Sequence, residues 1–187
     1  MRLSWPGFND RGTVLIEVPP QFFGLTKSPV DIEGERYSAK HELHITLIGS
    51  KLGSLLLEKI SQENINQEKV RQEMTDKGLT SETLLRNIFQ NLDWSYEKTG
   101  PVHILSRSKK GMIQQSIIML IEMPAIAVFY QQLKSHGLIA SETPVPPAHV
   151  TLYTRNCPSG IGVPNQRVLD ILSTKTLSVK TLESLCR

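Results

Sequence analysis

The stretch His44-Ile45-Thr46-Leu47 has a counterpart, His149-Val150-Thr151-Leu152, in the other half of a chain of 187 residues. Each reads His, apolar, Thr, apolar. Successive side chains of a strand point to opposite faces. In either tetrapeptide the apolar pair (Ile45 and Leu47, or Val150 and Leu152) therefore takes one face, and the imidazole and hydroxyl share the other. The two polar groups then stand roughly 6.5 Å apart along the strand. Two such strands facing one another would supply two His and two Thr around a single anion.

Outward from these segments the pattern predicts strands and helices in alternation. A first strand over 13–18 is stopped by Pro19-Pro20. Residues 19–40, rich in Pro, Gly and charge, read as a long loop. The first histidine strand covers 41–48 and ends at Gly49-Ser50. Helical spacing follows over 53–64, with Leu55, Leu56, Ile60 and Ile65 on one stripe. A second helix is expected over 67–77 and a third over 81–92, opened by Ser81 as a capping residue. Residues 101–107 and 112–122 read as a hairpin whose connection ends in Gly111. Pro124 sits where a helix begins, and Ile126, Phe129, Tyr130 and Leu133 form its apolar stripe as far as Gly137. A Pro-rich connector, 143–147, delivers the chain to the second histidine strand. A loop over 156–164, a short helix over 165–172 and a last strand over 176–182 complete the reading.

Each half thus places a His-x-Thr strand beside helices and other strands. The expectation is an α+β fold: bilobal, with an antiparallel sheet duplicated about a pseudo-two-fold axis, helices beside it, and a cleft between the lobes. One lobe would cover about 13–95 and the other about 101–182, within a single domain spanning 1–187.

Composition narrows the function classes. Hydrophobic residues make up 39% and charged residues 21%, as in a globular domain with its own core. The net charge of +3, with a pI of about 8.9, permits an anionic partner but is far below that of a nucleic-acid coat. Two cysteines, Cys157 and Cys186, make neither a disulfide framework nor a zinc spacing. The first residues lack the apolar run of a secretory signal, and no stretch is long enough to span a bilayer. A cytoplasmic protein with no membrane association is expected, and no obligatory protein partner is implied.

Cleaving a phosphodiester without metal needs a base for the attacking oxygen, an acid for the leaving oxygen, and donors for the non-bridging oxygens. Histidine suits the first two tasks, since its pKa of about 6.5 lies near working pH. Two threonine hydroxyls suit the third, and such preorganised donors are often worth ~3 kcal/mol each. The pattern calls for no carboxylate, no metal and no cofactor. Residues His44 and His149 are therefore candidate catalytic groups, with Thr46 and Thr151 as candidate phosphate ligands.

Those two motifs resemble the paired His-x-Thr/Ser-x motifs of the 2H phosphoesterase superfamily, which includes 2′-5′ RNA ligase-like proteins and cyclic phosphodiesterases. The resemblance in motif, spacing and element order covers roughly 13–182. It implies a bilobal α+β fold, catalytic His44 and His149, phosphate-binding Thr46 and Thr151, and activity on 2′,3′-cyclic phosphates or on 2′-5′ or 3′-5′ RNA linkages. The chain departs from that family's pattern at two points. Ile48-Gly49-Ser50 follows the first motif where an aromatic is frequent, and Thr154 stands where a basic residue is common, with Arg155 one place later.

Uninterrupted alternation would put Tyr153 and Arg155 on the face of His149 and Thr151, one to stack a base and the other to reach a phosphate. Their bland readings are a strand-end aromatic and a solvated arginine. His41 falls on the opposite face from His44, while His103 and His136 read as structural or exposed. Lys109-Lys110 reads as a charged hairpin tip. A second class of function is a nucleotide- or RNA-binding module of the same fold with little or no catalysis. Two proton-transfer groups are more than binding alone requires. The sequence leaves open which His is acid and which base, the regiochemistry of cleavage, any ligase activity, the pathway and the oligomeric state.

Overall fold

The computed structural model describes residues 1–24, 28–70, 80–98 and 100–185. It is an α+β structure. In chain order its strands are β1 (Val14–Glu17), β2 (Val30–Ile32), β3 (Glu35–Ala39), β4 (His44–Ile48), β5 (Val102–Lys109), β6 (Met112–Leu120), β7 (His149–Arg155) and β8 (Ser173–Leu177). Its helices are α1 (Ser50–Val70), α2 (Ser81–Gln90), α3 (Ala125–Ser135), α4 (Gln166–Leu172) and α5 (Val179–Leu185). Among the described residues, no helix is long and apolar enough to cross a membrane.

By its contacts the chain divides into two compact units, each assembled from three separated stretches. One comprises Met1–Val14, Ile48–Ser95 and Pro124–Val145; the other comprises Leu15–Leu47, Tyr96–Met123 and Pro146–Arg187. The division does not follow the contiguous stretches 13–95 and 101–182. Both His-x-Thr segments fall in the second unit, because β4 and β7 are hydrogen-bonded neighbours in one sheet. They lie side by side, where the sequence reading had them facing one another from separate lobes.

The sheet belongs to the second unit, apart from the end residues Val14 and Ile48. Its strand order is β1-β4-β7-β6-β5-β8, with β3 also on β7 and β2 on β3. The pairs that carry the site, β4/β7 and β6/β7, are antiparallel, as are β3/β7, β5/β6 and β5/β8. The β5–β6 hairpin turns through Lys110 and Gly111, both at positive φ (54° and 73°). That two-residue geometry matches the twist of the flanking strands and accounts for the glycine.

The region 19–40, expected as loop, contains a 3-10 helix (Pro20–Phe23) and a second hairpin, β2–β3. Its turn, Glu33-Gly34, repeats the positive φ pair (54° and 79°). Val30, Ile32 and Tyr37 are buried while Asp31 and Arg36 face out, so a short alternating pattern was masked by the surrounding charge. At the other end, β8 stops at Leu177, and the Ser178 hydroxyl accepts from the Thr181 N–H at 3.0 Å to start α5. The expected strand over 176–182 is therefore mostly helix, since a serine cap with its bond three residues on favours a helical start.

One face of β5 and β6 is covered by Leu105, Ile118, Cys157, Ile161, Val163 and Leu169, a buried cluster joining the sheet to α4 and the loop before it. α4 is capped by Asn165, whose Oδ1 accepts from the Val168 N–H at 2.9 Å, an arrangement generally worth ~1 kcal/mol.

The first unit is helical. α1 is continuous over Ser50–Val70 where two helices were expected; positions 71–77 of the second lie outside the described residues. Leu56 and Ile60, four apart, are buried, whereas Leu55 and Ile65 are exposed, about 100° and about 140° around the helix from the nearer residue of the buried stripe. α2 is capped by Thr80, whose hydroxyl accepts from the Thr83 N–H. Ser81, the expected cap, instead gives its N–H and hydroxyl to the Glu63 carboxylate. Ile126, Phe129, Tyr130 and Leu133 of α3 are all buried, as their spacing predicts. Phe89 stacks on Trp94 with ring centroids 4.6 Å apart, and Trp94 meets Phe129 edge-on at 5.5 Å. Gly53 allows α1 to pass close to the Gly12 backbone, since a Cβ there would lie 1.6 Å from the Gly12 carbonyl oxygen.

Candidate active site

β4 and β7 bury the faces their alternation predicts. Ile45, Leu47, Val150 and Leu152 are buried, with His44, Thr46 and Thr151 half-exposed between them. His149 is more enclosed, at 8% exposure. In the antiparallel register Ile45 pairs with Val150. Carried one residue either way, that register sets His44 opposite Thr151 and Thr46 opposite His149. On that continued register the four residues mark the corners of a rectangle at the backbone, the histidines on one diagonal, roughly 7–8 Å apart, and the threonines on the other.

A bulge interrupts β7 directly beyond this group. Thr151 pairs with Ile118 of β6, but Tyr153 pairs with Ile117, so Leu152 is an extra residue against the partner strand. The bulge inverts the alternation that follows. Tyr153 is wholly buried on the face opposite Thr151, and cannot stack a base beside the histidines. Arg155, aligned with Gln115, falls on that opposite face too, where it forms an ion pair with Glu35 and donates to Gln115 Oε1 at 3.0 Å. Both positions depart from the expectation for one reason: period two holds only while the ladder is regular. Thr154, aligned with Ser116, takes the face that Tyr153 was expected to occupy, and is buried.

The loop over 156–164 folds back onto the histidine face. Cys157 donates its thiol to the Gln115 carbonyl at 3.0 Å, and the Ile161 N–H donates to Ser116 Oγ at 2.9 Å. These bonds bring Gly160, at φ +79°, against Thr151: a Cβ on Gly160 would lie 3.1 Å from Thr151 Cγ2 and 3.2 Å from its Oγ1. Lys40 reaches the same loop and donates from Nζ to the Pro158 carbonyl at 3.0 Å. Neither Gly160 nor Lys40 stands out in the sequence, because their roles depend on a loop returning over a strand.

Protonation follows from these surroundings. His149 Nδ1 lies 2.8 Å from the Pro147 carbonyl oxygen. A carbonyl only accepts, so Nδ1 carries a hydrogen and Nε2 is the nitrogen free to take up or release a proton. Burial lowers the His149 pKa; the Pro147 bond opposes this, and the neighbouring His44 adds to it. Burial also lowers the His44 pKa, reinforced by the Lys40 ammonium and partly offset by Glu42.

The remaining histidines and the lysine pair take other positions in the chain. His41 is exposed in the bend before β4, and His136 follows the end of α3. His103 aligns with Ile118, which aligns with Thr151, so it lies two strands away on the histidine face. Its Nδ1 is 2.8 Å from Ser173 Oγ, and its Nε2 is buried without a hydrogen-bond partner among the described residues. Lys109 and Lys110 are exposed at the β5–β6 turn. Among the described residues, no group of three or more His, Cys, Asp or Glu is placed to hold a metal ion. No protein-family model, curated protein or solved structure matches this chain.

Proposed function

We propose that the protein is a phosphodiesterase that cleaves 2′,3′-cyclic phosphates or 2′-5′ linkages of nucleotides or RNA by acid–base catalysis between His44 and His149, without a metal. The observation that carries this reading is the antiparallel register centred on Ile45 and Val150. A diagonal pair of histidines on adjacent strands supports a division of base and acid about one phosphorus, with the two threonines available to the non-bridging oxygens.

With a 2′,3′-cyclic phosphate, one neutral imidazole takes a proton from water as the water oxygen bonds to phosphorus. The other, protonated, gives its proton to the ribose oxygen whose bond to phosphorus breaks. The product is a phosphomonoester, and the two rings exchange protonation states. At a 2′-5′ linkage the neighbouring 3′-hydroxyl replaces water, the 5′-oxygen leaves, and a cyclic phosphate results. Throughout, Thr46 and Thr151 donate to the non-bridging oxygens.

The test is turnover, in EDTA, of 2′,3′-cyclic nucleotides and of 2′-5′- and 3′-5′-linked adenylates. His44→Ala and His149→Ala should each lower kcat by about 10²–10⁴-fold. Binding without turnover across the panel would point instead to a nucleotide-binding module. Turnover untouched by both substitutions would overturn the assignment.

A further inference from the structure

We propose that Lys40 is the cation that receives the substrate's phosphate, an assignment that rests on the reading above. β3 and β4 run end to end along one edge of β7. Ala39 pairs with Tyr153 and Ile45 with Val150, so six residues of one edge pass three of the other. Residues 40–43 form the resulting extrusion. Lys40 is fixed at its start, since its own N–H donates to the Leu152 carbonyl at 2.8 Å, at the β7 bulge. From there its side chain crosses to the histidine face, where Nζ meets the Pro158 carbonyl two residues before the Gly160 that abuts Thr151. The ammonium thus rests on the loop over Thr151, on a residue four positions before His44.

Its charge is differently placed from those of its neighbours. In the same unit Arg155 pairs with Glu35, Arg36 with Asp31 and Lys175 with Glu33. Among the described residues, Lys40 has no carboxylate in ion-pair contact, only a carbonyl. An ammonium has three donors, of which Pro158 takes one. Its field reaches the imidazole, lowering the His44 pKa. Beside the pair of strands that bear His44 and Thr151, Lys40 offers a positive charge suited to the negative charge of a phosphodiester. The tertiary arrangement places that charge away from Arg155, the basic residue nearest the second motif in sequence.

Inorganic phosphate titrated against the full chain, followed by the histidine ring protons, tests this directly, alongside KM for 2′,3′-cyclic AMP. Lys40→Gln keeps a donor for Pro158 and removes the charge; Lys40→Arg keeps the charge. The glutamine variant should bind phosphate about tenfold more weakly and raise KM in proportion. The arginine variant should recover most of both, and Lys175→Met should match the wild type. Because the Lys40 ammonium adds to burial in lowering the His44 pKa, against the opposing Glu42 carboxylate, the glutamine variant should also raise that pKa. Phosphate affinity unchanged in Lys40→Gln, or absent from the wild type, overturns the assignment. Turnover that persists with full affinity in Lys40→Gln sinks Lys40 and spares the phosphodiesterase. Lys40-dependent phosphate binding without turnover of any diester does the reverse.

Discussion

Replacing Gly160 by alanine separates backbone strain from placement of the Thr151 hydroxyl. Two costs arise at this position. The residue is at φ +79°, where an L side chain costs about 1–2 kcal/mol. The new Cβ would also stand 3.1 Å from Thr151 Cγ2 and 3.2 Å from Oγ1, against roughly 3.5–4.0 Å for ordinary carbon contact. One side must yield by a few tenths of an ångström. Threonine is stiff about χ1, so the hydroxyl moves with its strand or turns away. Complete loss of such a donor costs about 10²–10³-fold in kcat. A partial displacement should cost about tenfold, or roughly 1.4 kcal/mol of transition-state stabilisation. Two controls isolate the contact. Gly111→Ala imposes a similar φ (+73°) with open space around it, and Gly162→Ala meets neither constraint. Melting curves and steady-state cleavage of 2′,3′-cyclic AMP should show Gly160→Ala and Gly111→Ala both less stable, with only the former slower. Since Gly160 acts through Thr151, the pair Gly160→Ala/Thr151→Val should be no slower than Thr151→Val alone. Wild-type kcat in Gly160→Ala, or an additive double variant, would refute the reasoning.

Two further outcomes follow from the site's electrostatics and from the bulge. Burial lowers both histidine pKa values, and the singly protonated pair, one base and one acid, is most abundant between the two lowered values. The kcat/KM profile should therefore peak below about pH 6.5, the ordinary histidine value, and a maximum above it would contradict the assignment. Arg155→Gln should leave kcat/KM unchanged and reduce stability by no more than ~1 kcal/mol, because its partner Glu35 lies on the face away from the histidines and both side chains are partly exposed. A marked rise in KM would show that Arg155 reaches the substrate after all.

The parts of this molecule legible without coordinates are those set by local periodicity. Alternation in His44-Ile45-Thr46-Leu47 and its counterpart settles which side chains share a face. The 3.6-residue spacing of Ile126, Phe129, Tyr130 and Leu133 settles the buried side of α3. Lys110-Gly111 announces a hairpin because few residues accept consecutive positive φ angles. The same rules failed over 30–39, where each strand is too short for its alternation to stand out, and at Leu55 and Ile65, which share a composition with the core but not its angle around the helix.

Only tertiary structure decides the rest, because strand partners and bulges belong to pairs of distant segments. Nothing near residue 44 or residue 149 dictates that the two strands adjoin, nor that Ile45 and Val150 form the centre of the match. The extra residue at Leu152 is defined against β6, and it alone turns Tyr153 and Arg155 away from the histidines. Lys40 and Gly160 gain their positions from a loop that returns over β7, a contact with no signature in either segment. The chain by itself determines the chemical groups and the faces they share; long-range pairing determines which of those groups meet.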